Sequence, residues 1–182
     1  TPGDRITVQV DKSAENLFLY LACLRAGLVY HPLNTAYTQS ELSYFLGNAE
    51  PSIVVCGRTA VTTIESALTA NNDSKASLKA ILTLDADGSG SLMTQAKDQS
   101  SHAEIAPCEG RDMAALLYSS GTTGRPKGIM LSHDNLRNNA QTLVELWGFS
   151  ASDRLLHALP IYHVHGLFVA VGCVLMSGAS MV

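Results

Sequence analysis

The chain holds 182 residues, enough for one ordinary domain or two small ones, and a chain of that length can bury roughly 70% of its unfolded surface. Hydrophobic residues make up 46% and charged residues only 15%, against about 25% charged in a typical soluble domain, which excludes disorder driven by charge or low complexity. A net charge of −4 supplies no global attraction for nucleic acid or an anionic membrane, so any phosphate bound here must be gripped by local geometry.

Arg5 to Val10 alternates as a short strand, and Ser13 to Ala26 carries apolar residues at helical spacing, with Leu17, Leu21 and Leu24 on one stripe before Gly27 stops the helix. A strand over Leu28 to Leu33 follows. Thr38 then opens a helix whose fourth residue, Glu41, completes a reciprocal capping box. Ser52 to Cys56 is a β-branched run, Thr59 to Ala70 is helical, and Ala80 to Leu84 reads as another buried strand. This βαβα alternation implies an α/β fold, a parallel sheet flanked by helices.

Residues 85 to 112 are rich in Asp, Gly, Ser and Lys around one weak helix near Leu92 and read as a surface excursion. Ala114 to Tyr118 and Ile129 to Leu131 are the next strands, and Ser132 caps a long helix running to about Trp147. After the turn-rich break at Gly148 to Asp153 come a strand at Arg154 to Ala158, a loop through Pro160 and an apolar helix at Gly166 to Met176. The expected division is therefore an α/β subdomain over 1–148 and the start of a second over 149–182, the latter without a sheet of its own.

Cys23, Cys56, Cys108 and Cys173 lie tens of residues apart with no CxxC pair, and they read as reduced core thiols. The longest apolar run, Gly166 to Met176, is well short of the ~20 residues that span a bilayer, and no charged-then-apolar leader opens the sequence. A cytoplasmic location is the expectation. The sequence opens at Thr1 directly before a strand and closes at Val182 in an apolar stretch, as expected of a fragment of something larger.

Between the strands at Leu117 and Ile129 lies Ser119-Ser120-Gly121-Thr122-Thr123-Gly124-Arg125-Pro126-Lys127-Gly128. Glycines let backbone amides approach a phosphate, hydroxyls add donors, and a lysine supplies a point charge. A flexible polar hairpin has the same composition. A Walker loop does not fit: Lys127 lies six after Gly121, but Pro126 stands where the second glycine belongs and Gly128 where the hydroxyl belongs. Ser119 and Ser120 lack the Gly-x-Ser-x-Gly frame of a hydrolase nucleophile. Asp85 to Gly90 imitates the start of an EF-hand, but the twelfth position is Ala96, so a polar turn is expected.

The run YSSGTTGRPKG at Tyr118 to Gly128, LSHDNL after it, and LPIYHVHGL at Leu159 to Leu167 resemble the adenylate-forming acyl-CoA synthetase superfamily of AMP-binding enzymes, in family order and spacing. Within it, PLNTAYT at Pro32 to Thr38 and ALPIYHVHGLF at Ala158 to Phe168 look most like malonyl-CoA synthetases. The resemblance implies ligase chemistry linked to fatty acid metabolism. A carboxylate attacks the α-phosphate of ATP, pyrophosphate leaves, and the acyl group passes to the thiol of coenzyme A. The acid it implies is malonate or methylmalonate.

It further implies that Ser119, Ser120, Gly121, Thr122, Thr123, Gly124, Arg125, Lys127 and Gly128 hold the phosphates, with Ser119-Ser120-Gly121 standing where the family usually has Thr-Ser-Gly. By the same resemblance His163 acts on the reacting carboxylate and His165 lines the acyl pocket. His165 is expected to point the same way as His163 along an extended segment. Mg2+ is implied with its ligand outside this sequence, as are the ribose-binding aspartate and the C-terminal lysine of the family. Two alternatives stand beside the ligase: a non-catalytic nucleotide-binding module of the same fold, and a metal-dependent hydrolase in which His163 and His165, with His157, ligate zinc.

Overall fold

The computed structural model describes residues 1–70, 77–119 and 125–182. It forms two compact units. The first comprises Thr1–Cys108 with Ala114–Met130, and the second Glu109–Met113 with Leu131–Val182.

The first unit is built on strands β1 (Arg5–Gln9), β2 (Val29–Pro32), β3 (Ile53–Cys56), β4 (Ala80–Thr83), β5 (Met113–Ser119) and β6 (Lys127–Ser132), in the order β4-β3-β1-β2-β5-β6. β1 runs parallel to β2 and β3, β3 to β4, and β2 to β5, where Tyr30 is level with Ala115. Ile6, Val8, Val29, Val54, Val55, Ala114 and Ala115 are buried, as the near-continuous apolar strands of a parallel sheet require. The α/β fold with a mainly parallel sheet flanked by helices is thus the one expected from the alternation.

Helix α1 (Ala14–Arg25) starts at the expected cap, where the Ser13 hydroxyl accepts from the Asn16 amide. Its most buried face differs from the expected leucine stripe. Asn16, Tyr20 and Cys23 are buried, while Leu17, Leu21 and Leu24 are half-buried. The reason is polar: Tyr30 donates its hydroxyl to Asn16 Oδ1 over 2.7 Å, so an asparagine turns inward where a hydropathy pattern assigns it to solvent.

Helix α2 (Gln39–Ala49) carries the expected capping box, with Thr38 and Glu41 bonded reciprocally. It lays Leu42, Phe45 and Leu46 into one core with Leu33, Val54, Ile64 and Leu68, the last two from α3 (Val61–Thr69). A short helix, α4 (Ser91–Lys97), interrupts the surface excursion close to Leu92.

In the second unit α5 (His133–Trp147) begins at Ser132, whose side chain and that of Asn135 cap each other's amides, and ends at Gly148 in the left-handed region with φ +67°. The expected boundary at 148 falls after α5, yet α5 clusters with the C-terminal elements, and Ala140 packs beside Gly172 of α6 (Val171–Ser177). A π-helical turn, His165–Ala170, leads into α6.

Two expectations about this segment are corrected. It does have a sheet, in which β7 (Arg154–Leu155) pairs in parallel with β8 (Ser180–Met181). The strand expected over Arg154 to Ala158 is regular only at Arg154–Leu155, beyond which the His157 amide still bonds to the Val182 carbonyl over 2.9 Å. The apolar helix buries Leu167, Phe168, Val171, Cys173 and Val174 within the chain and leaves Leu175 and Met176 about half exposed. No helix among the described residues is long and apolar enough to cross a membrane.

Candidate functional site

Of the residues expected to hold phosphate, Ser120, Gly121, Thr122, Thr123 and Gly124 lie outside the described residues; Ser119, Arg125, Lys127 and Gly128 lie within them. Ser119 closes β5 half-buried, and Lys127 opens β6 exposed to solvent. Gly128 faces the ring of Tyr118, where a Cβ would stand 3.6 Å from Cε1. Both stems are tied to α2. The Tyr118 hydroxyl donates to Asn48 Oδ1 over 2.5 Å, and the Tyr44 hydroxyl donates to the Pro126 carbonyl over 2.6 Å. No sequence signal near the loop points to Tyr44 or Asn48, because the topology alone brings α2 to Tyr118 and Pro126.

His163 and His165 belong to the second unit. Together with Leu159, Pro160, Val164 and Gly166 they line an open pocket of about 380 Å³. Both histidines are exposed, and the His163 ring lies 4.6 Å from that of Tyr162. The extended path expected between them is not found: the chain turns helical at Val164, and the Leu167 amide bonds to the His163 carbonyl over 3.0 Å. Gly166 allows this turn, since a Cβ there would overlap the carbonyl oxygen of Pro160. The two imidazoles therefore reach one pocket by sitting on either side of a helix start.

His157, weighed in sequence only as a metal ligand, has a different place. It is buried, and its Nε2 donates to the Gly166 carbonyl over 2.9 Å. That bond fixes the neutral ring as the Nε2–H tautomer or uses one proton of the charged ring. Its Nε2 is therefore occupied, and among the described residues no three His, Cys, Asp or Glu side chains converge on a point that would hold a metal. The aspartates at 85–90 form a turn: Asp85 Oδ1 accepts from the Arg58 amide over 2.8 Å, and Asp87 Oδ1 accepts from the Ser89 amide over 2.9 Å.

A smaller cavity of about 140 Å³ opens where β1, β3 and β4 end, lined by Gln9, Asp11, Thr35, Gly57, Thr59 and Asp85 among others. The carboxyl ends of parallel strands are where open sheets of this kind take ligands. Thr35 and Thr59 both line it, and periodicity alone does not reveal that they share a cavity.

The family model described as AMP-binding enzyme matches residues 1–182. Among solved structures, ATP-bound MatB from Rhodopseudomonas palustris superposes with a TM-score of 0.92 at 50% identity, covering 100% of this chain and 35% of that one. A mitochondrial malonate–CoA ligase of Xenopus laevis, ACSF3, is 31% identical over 180 residues, covering 98% of this chain and 30% of its own length. A CoA ligase of Gibberella moniliformis is 31% identical over 179 residues, which are 98% of this chain and 28% of the relative. The chain thus spans about a third of the length of the proteins it matches.

Proposed function

Because the chain belongs to the AMP-binding enzyme family, we propose that it is the part of an ATP-dependent acyl-CoA synthetase that grips the nucleotide and receives a small carboxylic acid, malonate first and methylmalonate second. The observation that carries this reading is the pocket lined by both His163 and His165, in a sequence that also supplies a phosphate-type loop.

The chemical obstacle is charge: an anionic carboxylate must approach the α-phosphate of a polyanion. Lys127 supplies a cation and Ser119 a hydroxyl donor at the stems of the loop, and Ser120 to Gly124 supply further hydroxyls and small residues. These groups hold the β and γ phosphates so that pyrophosphate leaves in line with the attacking oxygen. His163 donates a hydrogen bond to the reacting carboxylate, orienting one oxygen toward phosphorus. His165, on the other side of the helix start, meets the far end of the acid, where an imidazole suits a second carboxylate better than an alkyl chain.

The thiol of coenzyme A then loses its proton and takes the acyl group from the acyl-adenylate, and AMP leaves as the acyl–phosphate bond breaks. Mg2+ supplies charge neutralisation for such phosphates when bound, and no described residue of this chain is assigned to it. A reducing compartment such as the cytoplasm suits the four free cysteines, three of them buried.

ATP–pyrophosphate exchange in the full-length polypeptide, run with malonate, methylmalonate, acetate and a long-chain acid, tests the reading. Malonate should support the fastest exchange, and Lys127→Ala and Thr122→Ala should each slow it. Exchange with none of the acids would defeat the proposal.

A further inference from the structure

Both stems of the β5–β6 connection are held by a single helix. Tyr44 and Asn48 are four residues apart on α2 and therefore lie one above the other on the same face. Asn48 takes the hydroxyl of Tyr118, the residue before Ser119; Tyr44 holds the carbonyl of Pro126, the residue before Lys127.

The Tyr44 bond acts where the backbone has freedom left, and the Asn48 bond acts on a side chain. Proline fixes its own φ but not the plane of the peptide that follows, and the Tyr44 hydroxyl sets that plane, hence the direction in which Lys127 departs. At the other stem the Tyr118 ring is already packed, 4.8 Å from Phe45 and edge-on to Tyr44 at 6.3 Å. A phenylalanine would fill that place equally well, and Asn48 is exposed, so its bond to the phenol is not demanded by burial. Partial burial pushes the Tyr118 phenol up to about 12, with the neighbouring Tyr44 adding to it, so it remains a donor at any physiological pH.

We propose that Tyr44 and Asn48 are positioning residues for the nucleotide, fixing the spacing and orientation of Ser119 and Lys127 from one face of α2. The inference rests on the reading that Ser119 and Lys127 meet the triphosphate. It adds α2, acting through the two loop stems, to the machinery that sets ATP affinity.

The test uses Tyr44→Phe, Asn48→Ala and Asn48→Asp in the full-length polypeptide, with Lys127→Ala as reference, measuring KM for ATP and for the acid by pyrophosphate exchange, ATP affinity by calorimetry, and the thermal midpoint. Tyr44→Phe and Asn48→Ala should each raise KM for ATP about five-fold, the factor carried by one ordinary neutral hydrogen bond. KM for the acid and the midpoint should stay put, and Asn48→Asp, which keeps an acceptor, should restore the wild-type value. Weaker ATP binding in Lys127→Ala but not in Tyr44→Phe or Asn48→Ala would overturn this inference alone. So would a parallel loss of ATP binding, acid binding and midpoint, which marks a merely structural role. A wild-type protein that binds no ATP would overturn the underlying reading and the inference with it.

Discussion

His157 Nε2 donates to the carbonyl oxygen of Gly166 over 2.9 Å, which ties a buried ring to the one residue that must be glycine for the His163 turn to close. His157→Phe leaves that carbonyl without its ring partner and should cost about 1–3 kcal/mol. For a chain of this size the loss appears as a fall of several degrees in the thermal midpoint. His157→Gln, which can still donate, should recover part of it. An unaltered midpoint in His157→Phe would show that the bond carries no weight.

His163 and His165 share a pocket but sit on opposite sides of a helix start, and their roles should separate accordingly. His163→Ala should slow adenylation of every acid by about 10²-fold, within the range of positioned side-chain catalysis. His165→Ala should mainly change the ranking of malonate against acetate. A panel of acids in which the two variants give the same profile would contradict the division.

His31 sets a pH dependence. Its Nδ1 lies 2.8 Å from Thr7 Oγ1, its Nε2 is buried without a partner, and burial, aided by the Arg5 charge, lowers its pKa to about 3. The unfolded chain protonates this ring near 6.5, so below that value the unfolded state holds a proton that the fold refuses. Stability is therefore fully present above about pH 6.5 and is lost at about 1.4 kcal/mol per pH unit as the pH falls toward 3. Denaturant unfolding at pH 7 and pH 5 should show wild type losing about 2 kcal/mol more than His31→Gln. Equal losses would mean that another group governs acid unfolding.

Cys108 is the exposed thiol, while Cys23, Cys56 and Cys173 are buried. Burial pushes the Cys23 thiol up to about 12, and burial with the Asp85 and Glu65 charges pushes Cys56 up to about 11. Thiolate chemistry is thus suppressed at both. A thiol reagent at pH 8 should modify one cysteine of the native chain quickly and the remainder only on unfolding. Mass spectrometry locating the first label anywhere but Cys108 would refute this.

Much of the architecture was legible because local chemistry and tertiary need agree. Thr38 and Glu41 form the capping box their spacing implies, Ser132 caps α5, and the β-branched run at Ile53–Cys56 is a buried strand. What periodicity missed depends on partners distant in sequence. Asn16 is buried because Tyr30 needs its oxygen, and β7 finds its partner β8 only at Ser180–Met181. His163 and His165 were legible as residues but not as geometry, since the turn between them depends on Pro160 standing against Gly166. The links from Tyr44 and Asn48 to the loop stems leave no trace in any local pattern.

The pairing of Tyr30 with Ala115 bears on how the chain acquires its structure. β1 to β4 can zip together through short βαβ crossovers, whereas β5 reaches β2 only after the long excursion of 85–112 has been closed into a loop. Loop-closure entropy must be met before that contact gives anything back, so β5 joins an already assembled four-stranded nucleus. Pulsed hydrogen exchange during refolding should find amides of β1 and β3 protected before those of β5. The strand that leads into the loop would then be locked in after that nucleus, and β6, which lies beyond it in the sheet, later still.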